Sequence, residues 1–238
     1  MSTTRNEKTK RGFRLVQNGV VLSEVLKEPG ATHSVFDVLA VGAHLISKGN
    51  RCGLLGFAAG GLIAPLRKLG SSLSIEGVDL EDHGYLAFKE SCSSWAGEVS
   101  FDKEDAAVWL ENREGLFDVI IEDLSAPMDD DVFKPPVCMD VLPNLIRRRL
   151  DEDQALVVNL LKHPSQTWDS LLGSIGRRGE SGVLVSFDDY WNKILIVSRD
   201  MEGARPFGRR LREGLRAVGS ELVDGIFVQG WQYPTEND

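Results

Sequence analysis

Cysteine is scarce in this chain of 238 residues, and the three that occur, Cys52, Cys92 and Cys138, form no CxxC pair. With four scattered histidines, they give neither a disulfide framework nor metal-ligand spacing. No metal site is expected, and the pattern suits a reducing, cytoplasmic compartment. Long apolar runs are also missing. Nothing approaches the roughly 20 apolar residues that cross a bilayer, so no membrane partner is expected. The opening stretch, MSTTRNEKTKRGFR, lacks the apolar centre of a secretory signal. Positive charge is the third shortage: 27 Lys and Arg stand against 36 Asp and Glu, a net charge of −9. Nucleic-acid binding usually needs a basic face, so no such partner is expected. Hydrophobic residues are present in ordinary measure, 42%, enough at this length for one large domain or two small ones.

The charge is unevenly distributed. Between residues 102 and 131 eleven acids face two bases, Lys103 and Arg113, so this segment carries −9, equal to the whole net charge. The first fourteen residues carry five bases against Glu7, or +4. Residues 1–12 read as a disordered basic arm, 13–50 as a hairpin and helix, and 51–238 as one α/β domain.

Residues 13–26 place two apolar stretches around Asn18-Gly19, a strong short-hairpin signal. After Pro29-Gly30, either Thr32 or Ser34 can cap a helix running to about Ile46, with Val35, Val38, Leu39, Leu45 and Ile46 on one face. Strand-like runs then follow at 52–57, 73–79, 98–101, 117–122, 155–160, 183–187 and 193–198. Helical patterns separate them, centred on 63–69, 84–91, 106–111, 137–150 and 167–175. Such alternation implies right-handed crossovers and a mostly parallel sheet covered on both faces. Only residues 188–192 separate the last two strands, too few for a helical crossover, so these should form an antiparallel hairpin. A helix over 205–218 carries five arginines, and 227–233 closes the chain.

The first strand of the α/β region runs into Gly56-Phe57-Ala58-Ala59-Gly60-Gly61 and then a helix. Glycines at such a junction permit a tight turn and let a ligand approach the backbone at a helix N-terminus. The dinucleotide pattern G-x-G-x-x-G is met only in part, because Ala58 takes the place of its middle glycine. The second strand ends at Asp79, 23 residues after Gly56, where a carboxylate can accept hydrogen bonds from two ribose hydroxyls. After the third strand come Glu104, Asp105 and Ala106, and an acid there can accept from an adenine amino group. Together these imply an adenosine-type ligand held by Gly56, Ala58, Gly60, Asp79, Leu80, Glu104, Asp105 and Ala106.

At these residues the chain resembles the catalytic domain of spermidine synthases, the aminopropyltransferases, within the class I S-adenosylmethionine-dependent methyltransferase superfamily. The resemblance rests on LLGFAAGG (54–61), IEGVDL (75–80), EDAAVWL (104–110), FDVIIEDLSAP (117–127) and ALVVNLL (155–161). It implies a Rossmann-like methyltransferase fold, with a mostly parallel seven-stranded sheet, an antiparallel terminal hairpin, and a short hairpin and helix in front. It implies S-adenosylmethionine, its decarboxylated form or methylthioadenosine as cofactor, and a homodimer by analogy. It also makes Asp123, after the fourth strand, the catalytic residue, set against the reacting end of the cofactor.

Two positions depart from that family. Its motif after the fourth strand is Asp-Ser/Thr-x-Asp-Pro, whereas Asp123-Leu124-Ser125-Ala126-Pro127 lacks the second acid. Its glycine turn carries an aspartate where this chain has Ala59. An acid at 59 would repel the carboxylate of intact S-adenosylmethionine, so alanine shifts the expectation toward methyl or alkyl transfer to an unidentified acceptor. The family's N-terminal β-rich domain is reduced to one hairpin. Two other readings stand beside this one: a true aminopropyltransferase making polyamines, and a non-catalytic relative that binds a nucleoside or a partner. An NAD-dependent oxidoreductase is disfavoured by Ala58 and the terminal hairpin. Asp129, Asp130 and Asp131 form either a solvated loop or a negative mouth for a cationic small-molecule substrate. Glu122, at a strand end, reads either as a solvent-facing acid or as one that stands in for the missing carboxylate, and Phe133-Lys134-Pro135-Pro136 as a lid or a rigid linker.

Overall fold

The computed structural model, which describes residues 4–128 and 131–233, begins with an antiparallel sheet of β1 (Thr4–Lys8), β2 (Gly12–Gln17) and β3 (Val20–Leu26). Asn18 (φ 50°) and Gly19 (φ 88°) join β2 to β3, the paired left-handed geometry that Asn-Gly favours. β1 corrects the expectation of a disordered arm over residues 1–12, since Thr4–Lys8 pairs along β2 from Gln17 to Phe13. Its polar sequence carries no apolar alternation; backbone bonds recruit it, joined by a side-chain bond from Gln17 Nε2 to Thr4 Oγ1 at 3.1 Å, and charged residues suit a sheet edge. Helix α1 (Val35–Ile46) follows, its first turn capped by Ser34, whose hydroxyl accepts from the Phe36 N–H.

The chain then alternates β4 (Arg51–Leu55), α2 (Ile63–Lys68), β5 (Ser74–Asp79), α3 (His83–Cys92), β6 (Val99–Lys103), α4 (Ala106–Asn112) and β7 (Val119–Glu122). A small hairpin, β8 (Ala126–Met128) with β9 (Asp131–Phe133), leads to α5 (Val137–Asp140) and α6 (Leu142–Arg149). The sequence reads 137–150 as one helix, but Pro143 has no N–H to continue it, and the chain breaks at Val141. After them come β10 (Leu156–Leu160), α7 (Trp168–Ile175), β11 (Ser181–Phe187), β12 (Lys193–Val197), α8 (Ala204–Val218) and β13 (Ile226–Gln232).

The large sheet has the order β13-β11-β12-β10-β7-β4-β5-β6. β4, β5, β6, β7 and β10 are parallel, and β12 runs antiparallel to both β10 and β11. The seven expected strands are therefore extended by an eighth, β13, antiparallel to β11. Only Ile226 and Trp231 of β13 are buried, so it carries too little apolar alternation to announce itself. From β4 the order runs outward to β5 and β6 on one side and to β7 and β10 on the other. Crevices in such sheets open at that reversal, beyond the carboxyl ends of the strands. Here that places Gly56 beside Asp123.

Strand alternation divides the core into two layers. Val119, Ile121 and Val157 face α1, α2 and α8, while Ile120, Leu156 and Val158 face α4, α6 and α7. Phe13, Leu15 and Val25 of the small sheet pack into the first of these cores, so β2 and β3 cover part of the same layer as α1.

Candidate active site

The glycine turn is shaped by close approach. Gly56 has φ 85°, and a Cβ there would lie 2.7 Å from the Asp123 carbonyl oxygen, so a side chain would push the tips of β4 and β7 apart. On the other flank, a Cβ on Gly84 would collide with the Ala58 carbonyl, so the start of α3 lies directly on the turn. Ala58 itself takes left-handed backbone, φ 46°. Its N–H donates to Asp79 Oδ2 at 2.7 Å, which ties the turn to the end of β5. Burial pushes the Asp79 carboxyl up from its usual range, opposed by the backbone N–H bonds it receives. Gly60 also has positive φ, 70°, where the chain turns into α2.

Asp79 and the segment after β6 meet through the Glu104 N–H, which donates to the Asp79 carbonyl at 3.0 Å. Asp105 caps α4: its Oδ1 accepts from the Ala107 and Val108 N–H groups at 2.9 and 3.2 Å. Ala106 is buried, Glu104 is partly exposed, and Leu80 stands 63% exposed, a large apolar side chain beside these acids. The structure thus brings the turn, Asp79, Leu80 and residues 104–106 to one end of the sheet.

The other half of the crevice is built from side chains. The Asp123 N–H donates to the Leu55 carbonyl at 2.8 Å, fixing it beside β4. Asn159 Nδ2 donates to Asp123 Oδ1 at 2.7 Å, and Asn192 Nδ2 donates to Asn159 Oδ1 at 2.9 Å. Burial pushes the Asp123 carboxyl up to about 7, with the charges of Glu122 and Asp79 acting in the same direction. The Asn159 bond and the Lys134 charge oppose that rise. Asp123 therefore feels Asp79 across the crevice.

Glu122 does not face solvent. It is 2% exposed and pairs with Lys134 Nζ at 2.6 Å. Its Oε1 also accepts from the Leu124 N–H at 2.8 Å, and Lys134 donates to the Leu124 carbonyl at 3.0 Å. Lys134 is thus neither lid nor linker but a buried brace for the loop that carries Asp123. Asp129 and Asp130, read as part of either a solvated loop or a negative mouth, lie outside the described residues. Ala126, at the missing second acid, stands opposite Phe133 in the β8–β9 hairpin. Ala59 has no exposed surface and belongs to the core, so a carboxylate there would be stripped of water.

Sequence reasoning missed Asn159, Asn192 and Lys134. Asn159 left one signal, a lone amide inside the apolar run ALVVNLL. Asn192 and Lys134 left none, because their partners are far away in the chain.

No family model matches the sequence, and no curated protein does. Solved structures do resemble it. A spermidine synthase in complex with the transition-state analogue AdoDATO has 15% identity and a TM-score of 0.62, over 100% of this chain and 80% of that one. Spermidine synthase from Thermotoga maritima has 16% identity and a TM-score of 0.63, over 100% and 81%. Human methyltransferase-like protein 13 in complex with SAH has 14% identity and a TM-score of 0.58, over 83% and 93%. The fold is therefore the Rossmann-like α/β fold shared by spermidine synthases and class I methyltransferases.

Proposed function

We propose that this chain is an S-adenosylmethionine-dependent transferase that passes a methyl or alkyl group to a nucleophilic acceptor. One observation carries the reading: a carboxylate poised near neutrality, Asp123, lies at the sheet's reversal point beside an obligatory glycine turn. The residues suit an adenosine. Asp79 Oδ2 accepts from the Ala58 N–H at 2.7 Å, and Oδ1 accepts only a long bond from the Glu81 N–H at 3.5 Å, so Oδ1 keeps a lone pair for a ribose hydroxyl. Asp105 caps α4 through Oδ1, which leaves Oδ2 for an adenine amino group. Leu80 offers an exposed apolar surface for the base.

When bound, the cofactor supplies an electrophilic carbon on a sulfonium, so the protein contributes orientation and charge rather than covalent catalysis. Asp123 Oδ2, the oxygen that Asn159 does not bond, would take the proton that the acceptor's nucleophile gives up. Asn159 holds the carboxylate in place, and Asn192 holds Asn159. A pKa near the working pH suits a group that must accept and then release a proton. Loss of the family's second acid at Ala126 disfavours an amine acceptor that needs two carboxylates.

The test is calorimetric titration of the purified protein with S-adenosylhomocysteine, with NADH as the competing ligand. Saturable one-to-one binding of the thioether and none of NADH is expected. NADH binding, or no binding of S-adenosylhomocysteine, would overturn the reading.

A further inference from the structure

A cavity of about 420 Å³ opens between the N-terminal sheet and the start of α1. Three cationic side chains line it, Lys10, Arg11 and Arg14, against one carboxylate, Glu24. In a chain of net charge −9 this is a local inversion of sign. Arg14 pairs with Glu24 at 3.3 Å, and Arg11 donates to the Ala31 carbonyl. Among the described residues no carboxylate makes a direct ion pair with Lys10 or Arg11. Thr9 lines the cavity too, and its hydroxyl oxygen is buried with no hydrogen-bond partner among the described residues. A buried hydroxyl without a partner is costly unless a ligand or water satisfies it.

The opposite wall is the segment that starts α1: Thr32, His33 and the cap Ser34. His33 takes left-handed backbone, φ 57°, unusual for a residue other than glycine. Three contacts pin it. Its N–H donates to Asp37 Oδ2 at 3.0 Å, its carbonyl accepts from the Tyr190 hydroxyl at 3.1 Å, and its Nδ1 accepts from the Glu221 N–H at 3.3 Å. Backbone strain held this firmly tends to occur at functional sites. Three carboxylates also act on this end of the cavity, Asp189, Asp37 and Glu24, and burial together with their charges raises the Tyr190 phenol; the Asp37 oxygens are turned to the Thr32 N–H and hydroxyl and to the His33 N–H.

Tyr190 connects this cavity to the transfer site. It lines the cavity, and it lies two residues from Asn192 in the loop between β11 and β12. Asn192 in turn holds Asn159, which holds Asp123. The geometry points to a pocket for an anionic acceptor: a carboxylate or phosphate seats on Lys10, Arg11 and Arg14 with the Thr9 hydroxyl donating, and the acceptor's nucleophile reaches past Tyr190 toward Asp123. This rests on the transferase reading above. It is opposite in sign to the cationic substrate that a negative mouth at 129–131, the alternative to a solvated loop there, would favour.

The experiment titrates the full chain with inorganic phosphate and, separately, with succinate, ionic strength being held constant with sodium chloride. Amide NMR shifts are followed, and S-adenosylhomocysteine binding is measured in parallel by calorimetry. At least one anion is expected to saturate shifts at residues 9–14 and 32–34. Lys10→Glu and Arg14→Gln should each weaken that binding fivefold or more without changing S-adenosylhomocysteine affinity. Tighter phosphate assigns a phosphorylated acceptor, and tighter succinate assigns a carboxylate. No saturable shift with either anion overturns the pocket. So does unchanged binding in Lys10→Glu, an exposed turn variant whose fold circular dichroism verifies. Anion binding without S-adenosylhomocysteine binding overturns the acceptor role together with the transferase reading, while the anion site itself survives.

Discussion

The two sides of the crevice are built by different means. On the β4–β5 side the backbone does the shaping: Gly56 and Gly84 allow contacts that no side chain would permit, and one carboxylate, Asp79, ties down a left-handed turn. On the β7–β10 side the shape comes from buried polar side chains, Glu122 with Lys134 and Asp123 with Asn159 and Asn192. A backbone-built wall fails through steric collision. A network-built wall fails when one member leaves another buried and unpaired, so stability and chemistry are coupled there.

The largest effect should come from Lys134→Ala. It leaves the Glu122 carboxylate buried without its ammonium partner, which typically costs about 3–5 kcal/mol. Urea denaturation of the wild type and variant measures this directly. Replacing both partners, Lys134→Met with Glu122→Leu, should recover most of the loss, because the cost lies in the orphaned charge. A loss under about 1 kcal/mol in the single variant would mean that the network does not hold this wall together.

Asp123→Asn comes next, and it acts on chemistry. On the transferase reading Asp123 is the base, so its removal should slow transfer by about 10²–10⁴-fold while S-adenosylhomocysteine still binds. Wild-type turnover should rise with pH through about 7 as Asp123 deprotonates. Stability should move the opposite way. The folded-state pKa lies above the unfolded value, so between about pH 4 and 7 the native state holds the extra proton, and stability falls as pH rises through that window. Thermal melts at pH 5 and pH 7.5 should show this fall in the wild type and a smaller one in Asp123→Asn. Equal pH dependence in both would remove Asp123 from the account.

The same contrast explains what was legible in the sequence. The β4–β5 wall could be read because its determinants are local: a strand, a glycine turn and an acid at the next strand's end lie within 24 consecutive residues, 56–79. The other wall joins residues 12, 36 and 33 positions apart in its Lys134–Glu122, Asn159–Asp123 and Asn192–Asn159 contacts, and no periodicity encodes such pairings. Glu122 looked like a solvent-facing strand end because its partner Lys134 sits beyond an intervening hairpin. β1 was hidden for a different reason, since its pairing is made by backbone groups that every residue carries.

Asp79→Ala tests the backbone-built wall with a smaller expected effect. Loss of a charge-assisted bond to a ribose hydroxyl should weaken S-adenosylhomocysteine binding by about 1.5–3 kcal/mol, measured by calorimetry. Unchanged affinity in a folded variant would leave Asp79 as a brace for Ala58 alone.

The smallest effect separates two roles that one carboxylate can play. Asp105 caps α4 through Oδ1, and the transferase reading gives its Oδ2 to the adenine amino group. Asp105→Ala removes both and should cost about 1 kcal/mol of stability along with ligand affinity. Asp105→Asn discriminates, because asparagine caps helices about as well as aspartate. Its carbonyl can keep the Ala107 and Val108 N–H bonds, which turns an NH₂ donor toward another donor on the base. Stability should then stay within a few tenths of a kcal/mol of wild type, while S-adenosylhomocysteine affinity falls by roughly tenfold, equivalent to about 1.4 kcal/mol. Thermal denaturation and calorimetry on the same two variants read the two roles separately. Full affinity in Asp105→Asn would confine Asp105 to the helix and move recognition of the adenine edge to the backbone around Ala106.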